Sequence, residues 1–171
     1  YDSWDNKEKE AIFEVVKDGF FTMGKKVSKF EQDFSNYIGS KYAVMTNSGS
    51  SANLLMIASL FYAKDNKIKL KRGDEVIVPA ISWSTSYYPL YQYGLKIKFV
   101  DIDLETLNYD LGKLRIAVSN QTKVILAVNL LGNPNDFKEI ERIINKKNIL
   151  IIEDNCESLG AEVQNKKTGT I

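Results

Sequence analysis

Residues 123–131 (Lys-Val-Ile-Leu-Ala-Val-Asn-Leu-Leu) are an apolar, β-branched run broken by Gly132-Asn133-Pro134-Asn135. A run this short, with no polar and apolar alternation, reads as a strand buried on both faces, and such a strand needs helices above and below it. Residues 75–80 and 148–153 have the same character, and residues 42–46 and 96–103 are read as two more strands. Helical stretches separate them. In residues 5–18, Ala11, Ile12, Val15 and Val16 share a face that ends at Gly19; Val27, Phe30, Phe34, Tyr37 and Ile38 then recur at helical spacing up to Gly39, a stripe read as core packing. Further helices are expected from Ser51 to about Tyr62, from the hydroxyl-rich 82–86 to Gly94 with Pro89 in the first turn or at a kink, behind Asn108 or Asp110, and behind Asp136. The expected fold is α/β, a mainly parallel, doubly wound sheet, with 1–171 as one domain.

Four polar stretches, 46–53, 81–86, 129–135 and 154–160, fall at the carboxyl ends of these strands, where ligands collect in such sheets. Thr46-Asn47-Ser48-Gly49-Ser50-Ser51-Ala52-Asn53 leads into a helix, so its unpaired N–H groups and the positive end of the helix dipole can form an anion cup suited to phosphate. An ordinary Ser or Asn helix cap accounts for the same residues. No Gly-Lys-Ser/Thr follows and the three-glycine dinucleotide spacing is absent, so neither a nucleoside triphosphate nor NAD is indicated. With Trp83 to stack on a ring and Asp154 to face a ring nitrogen, the cup fits a flat, phosphorylated, cationic heteroaromatic molecule, and pyridoxal phosphate has those three handles. Singly, Trp83 also reads as a core aromatic, Asp154 as a strand-end cap and Glu157 as a surface charge.

Composition narrows the chemistry. The chain has no histidine, which removes the usual general base, the usual zinc ligand and every Ser-His-Asp triad, and one cysteine, Cys156, which removes an internal disulfide and a cysteine-rich zinc site. A net charge of +1 supplies no broad field for nucleic acid or an anionic membrane, and the lysines of residues 63–73 have no interleaved aromatics, as in a solvated loop. No apolar run reaches membrane-helix length and no signal peptide is evident, so a cytoplasmic protein is expected.

The series Phe21-Thr22-Met23-Gly24, Val27, Phe30-Glu31, then Ser48-Gly49-Ser50-Ser51-Ala52-Asn53, then Gly73-Asp74-Glu75-Val76-Ile77-Val78-Pro79, and finally residues 153–161, resembles the DegT/DnrJ/EryC1/StrS sugar aminotransferase family of fold-type-I pyridoxal phosphate enzymes. Residues 82–89, Asn129-Leu130-Leu131-Gly132-Asn133-Pro134 and Asn155-Cys156-Glu157-Ser158 are most similar to its sugar 3-dehydratase branch. The resemblance implies pyridoxal or pyridoxamine 5'-phosphate as cofactor, a nucleotide-linked 4-keto-6-deoxysugar as substrate, glutamate as a co-substrate, a homodimer, and C3 dehydration in O-antigen deoxysugar biosynthesis. The alternatives are amino transfer to such a sugar, or a non-catalytic phosphate-ligand module. Residue by residue it implies Gly49 and Ser50 as phosphate contacts, Trp83 as the stacking ring, Asp154 as the pyridine partner and Glu157 as a nearby polar contact. It also implies a Schiff-base lysine, or a histidine in the dehydratase branch, which these residues do not include. The chain is therefore expected to be the N-terminal part of a large cofactor-binding domain.

Overall fold

The computed structural model describes residues 3–145 and 147–171, in two compact units, Tyr1–Met45 and Thr46–Ile171.

The first unit holds helices α1 (Asn6–Asp18) and α2 (Lys25–Ile38). A capping box starts α1: the Asp5 carboxylate accepts from Lys7 N–H at 2.6 Å and the Glu8 carboxylate from Asp5 N–H at 2.7 Å. Gly19 and Gly39 close the two helices in the left-handed conformation. The stripe on α2 is not a packed core in this unit. Phe30 and Tyr37 are exposed, although the Phe30 and Phe34 rings stack at 5.7 Å, and no residue of α1 is buried. Residues 42–46 also depart from expectation, since they join no ladder among the described residues. An apolar run becomes a strand only when a neighbour takes its backbone groups, and here Met45 N–H donates to the Glu31 carboxylate at 2.8 Å instead.

The second unit is a four-stranded parallel sheet of β1 (Glu75–Pro79), β2 (Lys96–Val100), β3 (Thr122–Val128) and β4 (Leu150–Asp154), in the order β2-β1-β3-β4. Alternate residues of each strand serve opposite faces. Val76, Val78, Val124, Leu126 and Ile152 pack with Ile57 and Leu60 of α3 (Gly49–Phe61) and Leu90 of α4 (Ser84–Gln92). Ile77 and Ile125 pack on the other face with Leu114 of α5 (Leu111–Ala117) and Ile140, Ile143 and Ile144 of α6 (Phe137–Ile144). The chain steps one way across the sheet through α4 and the other way through α5 and α6. Opposite steps over opposite faces give all three crossovers the same hand. The reversal falls between β1 and β3, so their carboxyl ends flank the crevice where such sheets hold ligands.

Three details differ from the sequence reading. β2 and β3 stop at Val100 and Val128, and the chain after Asn129 turns into a short 3-10 segment, Leu130–Gly132, with Leu131 left-handed. Pro89 lies in the second turn of α4, not the first. Strands β5 (Glu162–Val163) and β6 (Lys166–Lys167) form a hairpin across Gln164 and Asn165, both at positive φ, a turn without the glycine that usually announces it.

Tyr109 ties the α5 face to two strands: its buried hydroxyl donates to Leu126 C=O at 2.7 Å and Ile77 C=O at 3.3 Å, and burial holds its pKa well above the ordinary tyrosine value. Tyr109→Phe keeps the ring packing and loses the hydroxyl's bonds. Urea unfolding is expected to show a loss of about 1 kcal/mol.

Candidate cofactor site

At the start of α3, the Ser48 hydroxyl accepts from Ser51 N–H at 3.2 Å and Ser48 C=O accepts from Ala52 N–H at 3.0 Å. The N–H groups of Gly49 and Ser50 have no acceptor among the described residues. A Cβ built on Gly49 would meet nothing within 4 Å, so no protein neighbour demands glycine there, and the bare backbone offers close approach to a ligand.

The chain leaves β1 at Pro79 and reaches Trp83, which caps α4 with its backbone while its side chain stands 74% exposed. That exposure removes the reading of Trp83 as a core aromatic. β4 delivers Asp154 at its last position, in register with Val128, and the carboxylate is almost wholly buried. Asp154 Oδ2 accepts from the Ser86 hydroxyl at 2.7 Å and from Asn53 Nδ2 at 2.9 Å, while Oδ1 accepts from Cys156 N–H at 3.2 Å.

Gly49, Ser50, Trp83, Asn129, Asp154 and Glu157 line one cavity of about 330 Å³, within the range of small-molecule sites. The helices α3 and α4 both start at this cavity, so two positive dipole ends face it. Glu157 is partly committed, because its Oε2 accepts from Leu131 N–H at 2.6 Å and holds the left-handed turn after β3. Chemically, the cavity offers N–H donors for an anion, an indole face for a flat ring, and a carboxylate for an N–H or a cationic nitrogen. Those groups match a phosphorylated pyridine.

Three contributors had no assigned role in the sequence reading. Asn53 lies one turn into α3, where asparagine is a poor helix former, and that misfit is the signal that could have marked it. Ser86 looked like one of several hydroxyls at a helix start. Asn129 is fully buried: its Nδ2 donates to Asn155 Oδ1 at 2.7 Å and to Glu153 Oε2 at 3.3 Å, and its Oδ1 accepts from Asn135 N–H at 2.9 Å and Asn135 Nδ2 at 3.0 Å. It joins the end of β3 to the loop after β4.

Residues 2–171 match the model of the DegT/DnrJ/EryC1/StrS aminotransferase family, and the chain belongs to that family. It is 60% identical over 168 residues to GDP-4-keto-6-deoxy-D-mannose 3-dehydratase of Yersinia pseudotuberculosis, covering 98% of this chain and 42% of that protein. It is 58% identical to the enzyme of the same name from Escherichia coli O55:H7, covering 98% and 43%. The structure of the E. coli GDP-4-keto-6-deoxy-D-mannose-3-dehydratase with bound hydrated PLP superposes with a TM-score of 0.96 at 57% identity, over 100% of this chain and 43% of that one. The chain thus spans less than half the length of the relatives it matches. No helix among the described residues is long and apolar enough to cross a membrane.

Proposed function

We propose that this chain is the cofactor-holding part of a cytoplasmic enzyme that uses pyridoxal or pyridoxamine 5'-phosphate to remove the C3 hydroxyl of a nucleotide-linked 4-keto-6-deoxysugar. The observation that carries this reading is the convergence of Gly49, Ser50, Trp83 and Asp154, from three separate elements, on one cavity at the switch point of the sheet. The similarity to 3-dehydratases supports the reaction, and a GDP-4-keto-6-deoxymannose-3-dehydratase mutant at 57% identity has been solved with bound GDP-perosamine, a nucleotide sugar. Glutamate as co-substrate and a homodimeric assembly complete the proposal.

In this reading the cofactor, when bound in its amine form, would supply through its electron-delocalising ring the electron pair on which the C3 hydroxyl leaves, and glutamate would restore the amine. Gly49 and Ser50 N–H hold its phosphate, Trp83 covers one ring face and shields it from water, and Asp154 keeps a proton on the ring nitrogen. Glu157, with Oε1 not engaged by a described residue, makes a further polar contact to cofactor or substrate. Removal of the cofactor's methylene proton would fall to a lysine or histidine outside these residues.

The test is product analysis with the full-length enzyme, pyridoxamine phosphate, glutamate and GDP-4-keto-6-deoxymannose. A product lacking the C3 oxygen is expected. An amino sugar would establish the aminotransferase alternative, and absence of any retained cofactor chromophore after dialysis would leave a non-catalytic module.

Cys156 gives an independent probe within this chain. It is exposed, is the sole cysteine of these residues, and lines the cavity beside Asp154. A thiol reagent should label it several-fold more slowly once pyridoxamine phosphate is bound. Equal labelling rates with and without the cofactor would place the ligand elsewhere.

A further inference from the structure

Asp154 is held by a set of donors that treats its two oxygens differently. Oδ2 receives both the Ser86 hydroxyl at 2.7 Å and the Asn53 amide at 2.9 Å, which fills the two acceptor sites of that oxygen. Oδ1 receives only Cys156 N–H, at 3.2 Å, and keeps one acceptor site open among the described residues. Each Oδ2 donor is itself fixed from behind. The Ser82 hydroxyl lies 3.4 Å from that of Ser86, a long contact on the side away from the carboxylate. The second hydrogen of Asn53 Nδ2 points at Thr85 C=O, 3.4 Å away. That carbonyl lacks its helical partner because the residue four positions on is Pro89, which has no N–H. The proline inside α4 thus frees a carbonyl that steadies the amide holding Asp154.

We propose that Ser86 and Asn53 are the positioning residues of the site: by occupying Oδ2 they fix the plane of the Asp154 carboxylate and present Oδ1 to the N–H of a ligand ring. The inference rests on the reading that the cavity binds a pyridine cofactor. It differs from a packing role in what it predicts. A packing role makes Ser86→Ala and Asn53→Ala less stable but leaves the ring nitrogen of a bound cofactor unchanged. A positioning role leaves the fold intact and alters that nitrogen.

The experiment uses the full-length enzyme as wild type, Ser86→Ala, Asn53→Ala and Ser86→Thr, the last retaining a hydroxyl. Three quantities are read: affinity for pyridoxamine phosphate, the pH titration of its ring nitrogen by NMR with ¹⁵N-labelled cofactor, and the carboxylate orientation in crystals of the apoproteins. Each alanine variant is expected to bind the cofactor about tenfold more weakly, the loss of one charge-assisted hydrogen bond. Its ring nitrogen should lose its proton at lower pH than in wild type, and its Asp154 carboxylate should rotate. Ser86→Thr should behave as wild type. Alanine variants with a wild-type nitrogen titration overturn the inference. If wild type binds no cofactor, the functional reading fails, and the apoprotein crystals still decide the inference: an Asp154 carboxylate unmoved in both alanine variants overturns it, and a rotated one upholds it.

Discussion

Asp154→Asn in the full-length enzyme is expected to lower turnover by about 10²- to 10³-fold while much of the cofactor stays bound. The amide has nearly the shape of the carboxylate, but its NH₂ group must face donors whichever way it turns. With Nδ2 in the Oδ2 position it meets the Ser86 hydroxyl and the Asn53 amide; with Nδ2 in the Oδ1 position it meets Cys156 N–H and the ligand's own N–H. Neither orientation supplies the negative charge that holds a proton on a ring nitrogen. The Gly49 and Ser50 N–H groups and the Trp83 face are untouched, so absorbance after dialysis should show retained cofactor alongside the lost rate. A variant that keeps wild-type turnover would remove Asp154 from the chemistry.

Asn129→Leu is expected to cost roughly 3 kcal/mol of stability, measured by denaturant unfolding. The two side chains share heavy-atom count and branching, so the loss is mainly one of hydrogen bonding, with some overpacking by the bulkier methyl groups added to it. Asn135 loses the acceptor for its N–H and one of the two acceptors of its Nδ2, and Asn155 Oδ1 loses one of its two donors, around a side chain that is itself fully buried. Glu153 keeps its bonds to Gly169 and Ile171 N–H, so the segment after β6 should stay in place. Because Asn129 joins the end of β3 to the loop carrying Asn155, Cys156 and Glu157, cofactor affinity should fall with stability. A change below about 1 kcal/mol would show that the network contributes little net energy.

The sheet was legible where burial on both faces leaves a continuous apolar run, as in β1, β3 and β4. Residues 42–46 have similar composition and are not a strand here, because strand formation depends on a partner ladder that no local pattern encodes. The Phe30 and Phe34 stripe is helical as its spacing requires, but spacing says nothing of what covers the face. Gly49, Ser50, Trp83 and Asp154 were readable as candidates because together, at the carboxyl ends of the strands, they fit one ligand, although each alone has an ordinary structural use; Glu157 came only from the family resemblance. Ser86 was not readable, and Asn53 carried no more than its misfit inside a helix. Their contact to Asp154 spans 68 and 101 residues of sequence and exists only because α3 and α4 pack side by side with their first turns at the same sheet edge. Pro89 was misplaced by one turn for a related reason: a proline inside a helix is costly unless the orphaned carbonyl finds another donor, and that donor, Asn53, comes from a different element.

The most direct test of the central claim is a crystal structure of the full-length enzyme with pyridoxamine 5'-phosphate. The phosphate is expected on the Gly49 and Ser50 N–H groups, the ring against the Trp83 indole, and the ring nitrogen within hydrogen-bonding distance of Asp154 Oδ1. A cofactor bound with its nitrogen away from Asp154, or outside the cavity between α3, α4 and β4, would contradict it.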